Sequence, residues 1–458
     1  MITVTLDDIA KAIGGVLVGD RTRPVTGISI DSRTISAGDL FFAIPGERTD
    51  GHHYVRMCAE RSAVGAVVSR PVDAPGDFPL IYVADTVWAL GGFARWYRNL
   101  FQIPVVGITG SAGKTTTKEM TAAALSTRYT VLKSPQNLNT EIGLPLAIAQ
   151  LEAHHTAAVL EMAMRGRGQI DGLASIARPC IGVITNIGWA HLGLLGSRDN
   201  IALAKCELLY RLPEDGIAVL NADDDYFDFC RRQVHCRVVP FGYQRMAVVR
   251  AVKVRLDEFG RAQCTVHYGR ERAVLHVPVP GLHHLSDALA ALAVAVVLDV
   301  PLAEAVEGIQ HMQVMDKRMQ VHRTPKQVTV LDDTYNANPA SVSAALHTLA
   351  RMADGCRQVV VLGDMLELGE EAPRLHREVG REVARIGAQL LIAVGDLAEE
   401  ITCGARESGN APVCLVFPDS KTAAENVHHW LQQGDVVLVK GSRALQMELV
   451  VKAIFEDC

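Results

Sequence analysis

Short runs of apolar, β-branched residues, each followed by a stretch suited to a helix, recur along this chain from Val105 onward. Strands and helices that alternate in this way form a mainly parallel sheet, because each crossover helix must cover one of its faces. The rhythm occurs in two sets. AAVLEMAM, CIGVITNI and GIAVLNADD, with helices from Gln169 and from Asn200 between them, belong to the first. VTVLDDTY, VVVLGDM, LLIAVG, CLVF and VVLVKGS, each with a helix behind it, form the second and read as a doubly wound domain. From Val248 to Pro280 the period changes to two in VKVRL, AQCTVHY and AVLHVPV, so antiparallel strands are expected to extend the first sheet. A long helix from Leu285 follows. Its apolar run, Ala288 to Leu298, is too short to cross a membrane and reads as buried.

Before Val105 the elements are shorter and mixed. GISI reads as a strand leading to Asp31-Ser32-Arg33, and LFFAI as one that stops at the Pro45-Gly46 turn. A helix ending in SAVGAVV, a strand LIYV and a helix through Trp88 and Trp96 complete this part. A chain of 458 residues is too long for a single core, and three segments divide near Phe101 and Met315.

The junction of the first two segments carries chemistry. In VVGITGSAGKTTTKEM, Val105 to Met120, a strand gives way to Gly110-Ser111-Ala112-Gly113-Lys114-Thr115-Thr116 and then to a helix. Glycines at 110 and 113 allow positive φ, so successive amides can face one anion, and the helix start adds its own unpaired N–H groups. Lys114 can reach β- and γ-phosphates, and the Thr115 hydroxyl can bind Mg²⁺. Ile108 takes the first glycine position of the strict G-x-x-x-x-G-K-[ST] pattern. A glycine-rich turn with a surface lysine is the plain alternative, but a strand before it and a helix after it favour nucleotide binding.

Three further residues are informative only together. Glu161 ends the strand AAVLEMAM, His191 follows the strand CIGVITNI, and Lys205 lies on the next helix. Singly they read as a solvated carboxylate, a loop histidine and a helix-surface lysine. The first two leave strand ends beside the phosphate loop, where parallel sheets bind ligands, and both side chains suit Mg²⁺.

A net charge of −6 gives no support for nucleic acid or an anionic membrane as partner. Ten cysteines without a C-x-x-C pair form neither a zinc pattern nor a disulfide framework, which suits a reducing cytoplasm. The start, MITVTLDDIAKAIGG, has acidic residues and no cationic lead, unlike a signal peptide.

TGSAGKTT, NLNTEIGLP, LEMAMRGRGQI, TNIGWAHLGLLGSRDNIALAKCELL, LDDTYNANPAS, VLGDMLELGEE and VKGSRALQME occur in this order. With DSRTISAGDLFFAIPGERTDGHHYV near the start, they make nearly the whole chain resemble the Mur ligase family. The resemblance implies an α/β fold of three domains: a small N-terminal α/β domain for the UDP-sugar (1–102), a central P-loop ATPase-type domain (103–315) and a C-terminal Rossmann-like domain (316–458). It implies an ATP-dependent, ADP-forming carboxylate–amine ligase, with UDP-MurNAc-tripeptide and D-Ala-D-Ala as small-molecule substrates. A monomer in the cytoplasm, no nucleic acid and no membrane span go with it. Another amino-acid-adding ligase of the superfamily, or a non-catalytic nucleotide-binding homologue, stands as the alternative.

Residue roles follow from the same resemblance. The loop Gly110, Ser111, Ala112, Gly113, Lys114, Thr115 and Thr116 would hold the triphosphate. Thr115 and Glu161 would hold one Mg²⁺, and His191 a second. Lys205 matches the lysine that is commonly carbamylated in the family, which turns a cation into a carboxylate-like anion. Arg318 and Asp333 would reach the nucleotide from the third segment. Asp31, Ser32 and Arg33 would contact the uridine diphosphate end. Asn139, Thr140 and Glu141 would approach substrate, and Asn336 and Asn338 the amine acceptor. Two departures stand out. Thr140 replaces a common Asn, and His283-His284-Leu285-Ser286-Asp287 stands where H-N-x-x-N is usual, putting Asp287 at an adenine-facing position. An ionised Asp287 could accept there but not donate.

Overall fold

The computed structural model describes residues 1–46, 49–135 and 138–457. Glu47 and Arg48 of the N-terminal stretch and Asn137 of NLNTEIG lie outside the described residues.

The largest sheet has nine strands, and the loop-bearing strand Val105–Thr109 lies between Ala157–Glu161 and Ile181–Ile184. All three run parallel, with Glu161 opposite Ile108 and Ile184 opposite Thr109. That register makes the loops after Glu161 and Ile184 stand on either side of the phosphate loop. Val131–Lys133 closes one edge in parallel. Toward the other edge, Ile217–Asn221, Arg237–Gly242 and Val249–Leu256 continue in parallel. Arg261–Tyr268 and Glu271–Pro280 then run antiparallel, as the change of period indicated.

Helices cover both faces of this sheet. Lys114–Leu125, Leu282–Val297 and Leu302–Gln310 pack on one face. Residues 288 to 295 of Leu282–Val297 are all solvent-inaccessible, so the apolar run is a core helix. Gln169–Ala177 and Arg198–Tyr210 lie on the other face, where Thr86–Arg98 also docks from the N-terminal part. That contact is fixed by Tyr97, whose hydroxyl donates to Leu151 O at 2.7 Å and accepts from the Ile2 amide at 2.6 Å.

The N-terminal sheet runs Val16–Val18, Leu80–Tyr82, Gly65–Val68, Asp39–Phe42, Gly27–Ser29, parallel except for the first strand. One expectation is corrected here. The helix ends at Glu60, and GAVV within SAVGAVV is the strand Gly65–Val68, buried at all four positions. Small residues flanking valines carry no clear period, and burial between two strands selects the extended form.

The third sheet holds the five expected parallel strands, ordered Thr329–Asp333, Val436–Lys440, Gln358–Gly363, Leu390–Val394, Val413–Phe417. Each is followed by its helix. A short antiparallel strand, Gln320–Arg323, adds an edge that the polar sequence QVHR does not announce. Arg318 lies just before this strand and Asp333 ends its partner, so both are delivered to the same end of the sheet.

Candidate active site

The phosphate loop depends on two unusual backbone positions. Gly110 has φ +155° and Gly113 φ +79°, the latter capping the helix Lys114–Leu125. A Cβ on Gly113 would collide with Asp287 Oδ1. Asn186 braces the loop from the neighbouring strand end. It takes the Ser111 amide on its carbonyl and the Ala112 amide on its side-chain oxygen, both at 3.0 Å. The expectation that all loop amides face the triphosphate is therefore narrowed. Ser111 and Ala112 already donate to protein, whereas the amides of Lys114, Thr115 and Thr116 open a helix and have no acceptor within it.

Lys114 Nζ folds back to donate to Gly110 O at 2.9 Å. Thr115 Oγ1 donates to Glu161 Oε2 at 2.8 Å, and Asn139 Nδ2 donates to the other carboxylate oxygen at 2.8 Å. From the third sheet, Arg318 Nη2 donates to Thr115 Oγ1 at 3.1 Å, and its guanidinium lies 4.0 Å from the centre of the Tyr335 ring. Residues separated by two hundred positions thus meet at one hydroxyl.

His191 and Lys205 adjoin this cluster and are electrostatically coupled to it. Burial, then Lys205 and Lys114, push the His191 imidazole down to about 4, so it is neutral at pH 7. Lys205 is 1% exposed and makes no hydrogen bond or ion pair with any described residue. Burial, reinforced by the nearby Lys114 ammonium, holds it well below the ordinary lysine range. It is a core residue rather than a helix-surface one. Burial also lowers Lys114, against an opposing pull from Glu161.

Asp287, expected to face the base of the nucleotide, contacts the underside of the phosphate-loop helix. One oxygen accepts from Thr117 Oγ1 at 3.1 Å, the other lies 3.1 Å from His284 Nδ1, and the residue is buried. Both oxygens thus have a partner within the protein, and through Thr117 Asp287 supports the helix that opens at the phosphate loop. Burial raises its carboxyl to about 7.

Asp333 accepts from Lys440 Nζ at 2.5 Å, and the same ammonium donates to Asn336 O at 2.8 Å. Asn338 caps the helix Pro339–Met352, its side-chain oxygen accepting from the Ser341 amide at 2.9 Å. Asn336 Oδ1 accepts from the next amide, that of Ala337. Thr140 Oγ1 accepts from the Gly143 amide at 3.2 Å, while Glu141 is exposed. In the N-terminal domain, Arg33 pairs with Asp31 at 2.7 Å and holds its carboxyl at about 2. Arg61 donates to the carbonyls of Ser32 and Arg33, fixing this loop.

Sequence reasoning passed over Asn186, Lys440 and Tyr335, although each lies in a motif it quoted. Their types are unremarkable, and only the contacts give them weight.

A phosphate loop flanked by a carboxylate, a neutral imidazole and a buried lysine, and touched by an arginine from a second parallel sheet, defines a nucleotide-dependent enzyme built from three α/β domains. Family models agree. The Mur ligase family, catalytic domain matches residues 24–138; the Mur ligase middle domain, 108–295; and the Mur ligase, glutamate ligase domain, 317–443. This chain belongs to the Mur ligase family.

A UDP-N-acetylmuramoyl-tripeptide–D-alanyl-D-alanine ligase from Synechocystis is 36% identical over 94% of this chain and 92% of its own. The crystal structure of MurF from Acinetobacter baumannii superposes with a TM-score of 0.91 at 31% identity, covering 99% of both chains. MurF from Thermotoga maritima, solved in complex with ADP, gives 0.83 at 28% identity over 94% of this chain and 97% of that one. Like other family members, the chain is an ATP-dependent, ADP-forming amide ligase. Among the described residues no helix is long and apolar enough to cross a membrane.

Proposed function

We propose that this enzyme joins D-alanyl-D-alanine to UDP-N-acetylmuramoyl-tripeptide, giving the pentapeptide, ADP and phosphate for peptidoglycan precursor synthesis. The observation that carries the reading is the meeting of Thr115, Glu161 and Arg318 at one point, in a chain similar over 94% to 100% of its length to enzymes with that printed activity. A carboxylate cannot expel oxide. A carboxylate oxygen therefore attacks the γ-phosphorus of ATP and ADP departs. The D-alanyl-D-alanine amine next attacks the carbonyl carbon of the acyl phosphate and loses a proton, and phosphate leaves.

In this reading the helix-start amides and Lys114 hold the phosphates, and Lys114 neutralises the charge that moves onto the departing ADP. Arg318 brings the third domain onto the nucleotide, with Asp333 and Lys440 beside it. Asn139 orients Glu161. Asp31, Ser32 and Arg33 hold the uridine diphosphate end, with Thr140 and Glu141 along the peptide. Asn336 lines the acceptor side, and Asn338 fixes the start of the helix that follows.

Mg²⁺ suits the donors present. Thr115 and Glu161 offer a hydroxyl and a carboxylate oxygen 2.8 Å apart, and a neutral imidazole at His191 can serve a second ion. No described cluster of three or more His, Cys, Asp or Glu side chains could hold a metal alone, and nucleotide phosphates would supply the remaining ligands. Such ions would polarise the transferring phosphoryl group. A neutral Lys205 amine is the form that captures carbon dioxide, so a carbamate there fits its burial and lack of partners. Domain boundaries at 102/103 and 315/316, a monomeric state and a cytoplasmic location complete the proposal. Mass spectrometry of products from ATP, UDP-MurNAc-tripeptide and D-Ala-D-Ala tests it. Absence of the pentapeptide, with ADP released on a different amine, would replace the assigned activity.

A further inference from the structure

The motif VLGDMLELGEE has no part in the chemistry described so far, yet it crosses between two domains. Glu367, in the loop after the third-sheet strand Gln358–Gly363, pairs one carboxylate oxygen with Arg165 Nη2 at 3.1 Å and sets the other 3.2 Å from His191 Nδ1, a contact outside hydrogen-bond geometry. Arg165 follows the strand that ends in Glu161, and His191 follows the strand Ile181–Ile184. Glu367 therefore spans the two loops that flank the phosphate loop.

The loop that carries it is fixed in place. The Met365 amide donates to buried His376 Nε2 at 2.9 Å, and the Leu366 amide to Ser442 Oγ at 2.9 Å. Met365 and Leu368 are each 2% exposed and pack into the core. Glu367 itself has φ +64°, and His191, opposite it, φ +65°. Non-glycine residues hold that conformation only where their surroundings impose it.

Next to the carboxylate, the two domains touch backbone to backbone. A Cβ on Gly193 would lie 2.8 Å from Gly369 N, and a Cβ on Gly369 would lie 2.9 Å from Gly193 Cα. Neither position has room for a side chain, so the surfaces fit only with glycine on both sides. A rigid loop, a paired carboxylate and a glycine-on-glycine contact together describe a docking point.

We infer that Glu367 is a positioning residue for ligation: a latch on the third domain that docks onto Arg165, beside His191, and holds the domains closed around the reacting groups. It acts through domain position and need not touch substrate. The inference rests on the function proposed above for its kinetic consequence, but docking itself can be read without turnover. Arg165 and Glu367 are exposed, at 73% and 43% of their side-chain surface, so their pairing is expected to be modest in strength, a factor of about two to five.

The test is a charge-exchange cycle on the full chain: Arg165→Glu, Glu367→Arg and the double variant, with Glu370→Gln as a neighbouring acidic control. Small-angle scattering with a non-hydrolysable ATP analogue and UDP-MurNAc-tripeptide reads closure. Calorimetric ATP binding reports that the phosphate loop is intact. The single variants should keep ATP affinity, lose much of the ligand-induced compaction and raise the KM for the UDP-substrate by about two- to fivefold. The double variant should recover compaction and most of the KM change, and Glu370→Gln should match the parent. Gly193→Ala should resist compaction with all charges intact. If the double variant behaves as the sum of the singles, or if the singles compact fully, the latch is refuted. Because compaction is read without D-Ala-D-Ala, a wrong amine assignment would leave this outcome unchanged.

Discussion

Arg318 Nη2 donates to Thr115 Oγ1 across the boundary between the third sheet and the phosphate loop, at 3.1 Å. The hydroxyl in turn donates a hydrogen bond to Glu161 Oε2 at 2.8 Å. A single threonine thus links the nucleotide loop, a candidate metal carboxylate and the domain that must close. Arg318→Ala should weaken ATP binding by about 1.5–3 kcal/mol, the usual worth of a hydrogen bond to a charged group. It should also reduce the compaction seen by small-angle scattering when ATP and UDP-substrate are added. Unchanged calorimetric affinity would remove Arg318 from the nucleotide site.

Lys205 is buried with no hydrogen-bond or ion-pair partner among the described residues, an arrangement that a plain ammonium beside Lys114 would not tolerate. Lys205→Ala should lower ADP release by about a hundredfold or more, the scale of removing one preorganised charge contact, with ATP affinity nearly intact. Formate or acetate should restore part of the rate by supplying the missing anion. Lys205→Arg should not respond, since its fixed positive charge still fills the place. Full activity of Lys205→Ala would show that the lysine has no catalytic part.

Asp287 titrates at about 7 in the folded chain against an ordinary 3.8, because burial disfavours its charge. The folded state then holds that proton more tightly than the unfolded state. Its contribution favours folding at low pH and is lost as pH rises from about 4 through about 7. Asp287→Asn does not titrate, so its folding free energy should gain on the parent as pH rises through that window, by at most about 4 kcal/mol, and its melting temperature should rise relative to the parent accordingly. Calorimetry at several pH values reads the difference. A gap that stays flat or shrinks with rising pH would mean that burial does not raise the Asp287 carboxyl to about 7.

Lys440 and Asp333 form a pair with side chains only 3% and 14% exposed. Removing one partner leaves a charge without compensation, so Lys440→Met should destabilise by about 3 kcal/mol. Lys440→Met with Asp333→Asn should recover a good part of that loss in urea unfolding. Equal destabilisation of the single and double variants would assign the cost to Asn336 O, the second acceptor of the lysine.

The sequence by itself determined the local layer of this protein. β-Branched runs with helices behind them indicated two parallel sheets, and the change of period after Val248 indicated the antiparallel extension. Glycines 110 and 113 before Lys114 marked the phosphate loop, since those features depend on spacing along a few consecutive residues. Tertiary structure decided what depends on distant neighbours. It turned GAVV at Gly65–Val68 into a central strand and buried Lys205 in the core. It also directed Asp287 to Thr117 and His284 beneath the loop, and used the Ser111 and Ala112 amides on Asn186. The meetings of Arg318 with Thr115 and of Glu367 with Arg165 and His191 join residues about two hundred positions apart. No local period encodes such contacts, because they exist only once three separately patterned segments have packed against one another.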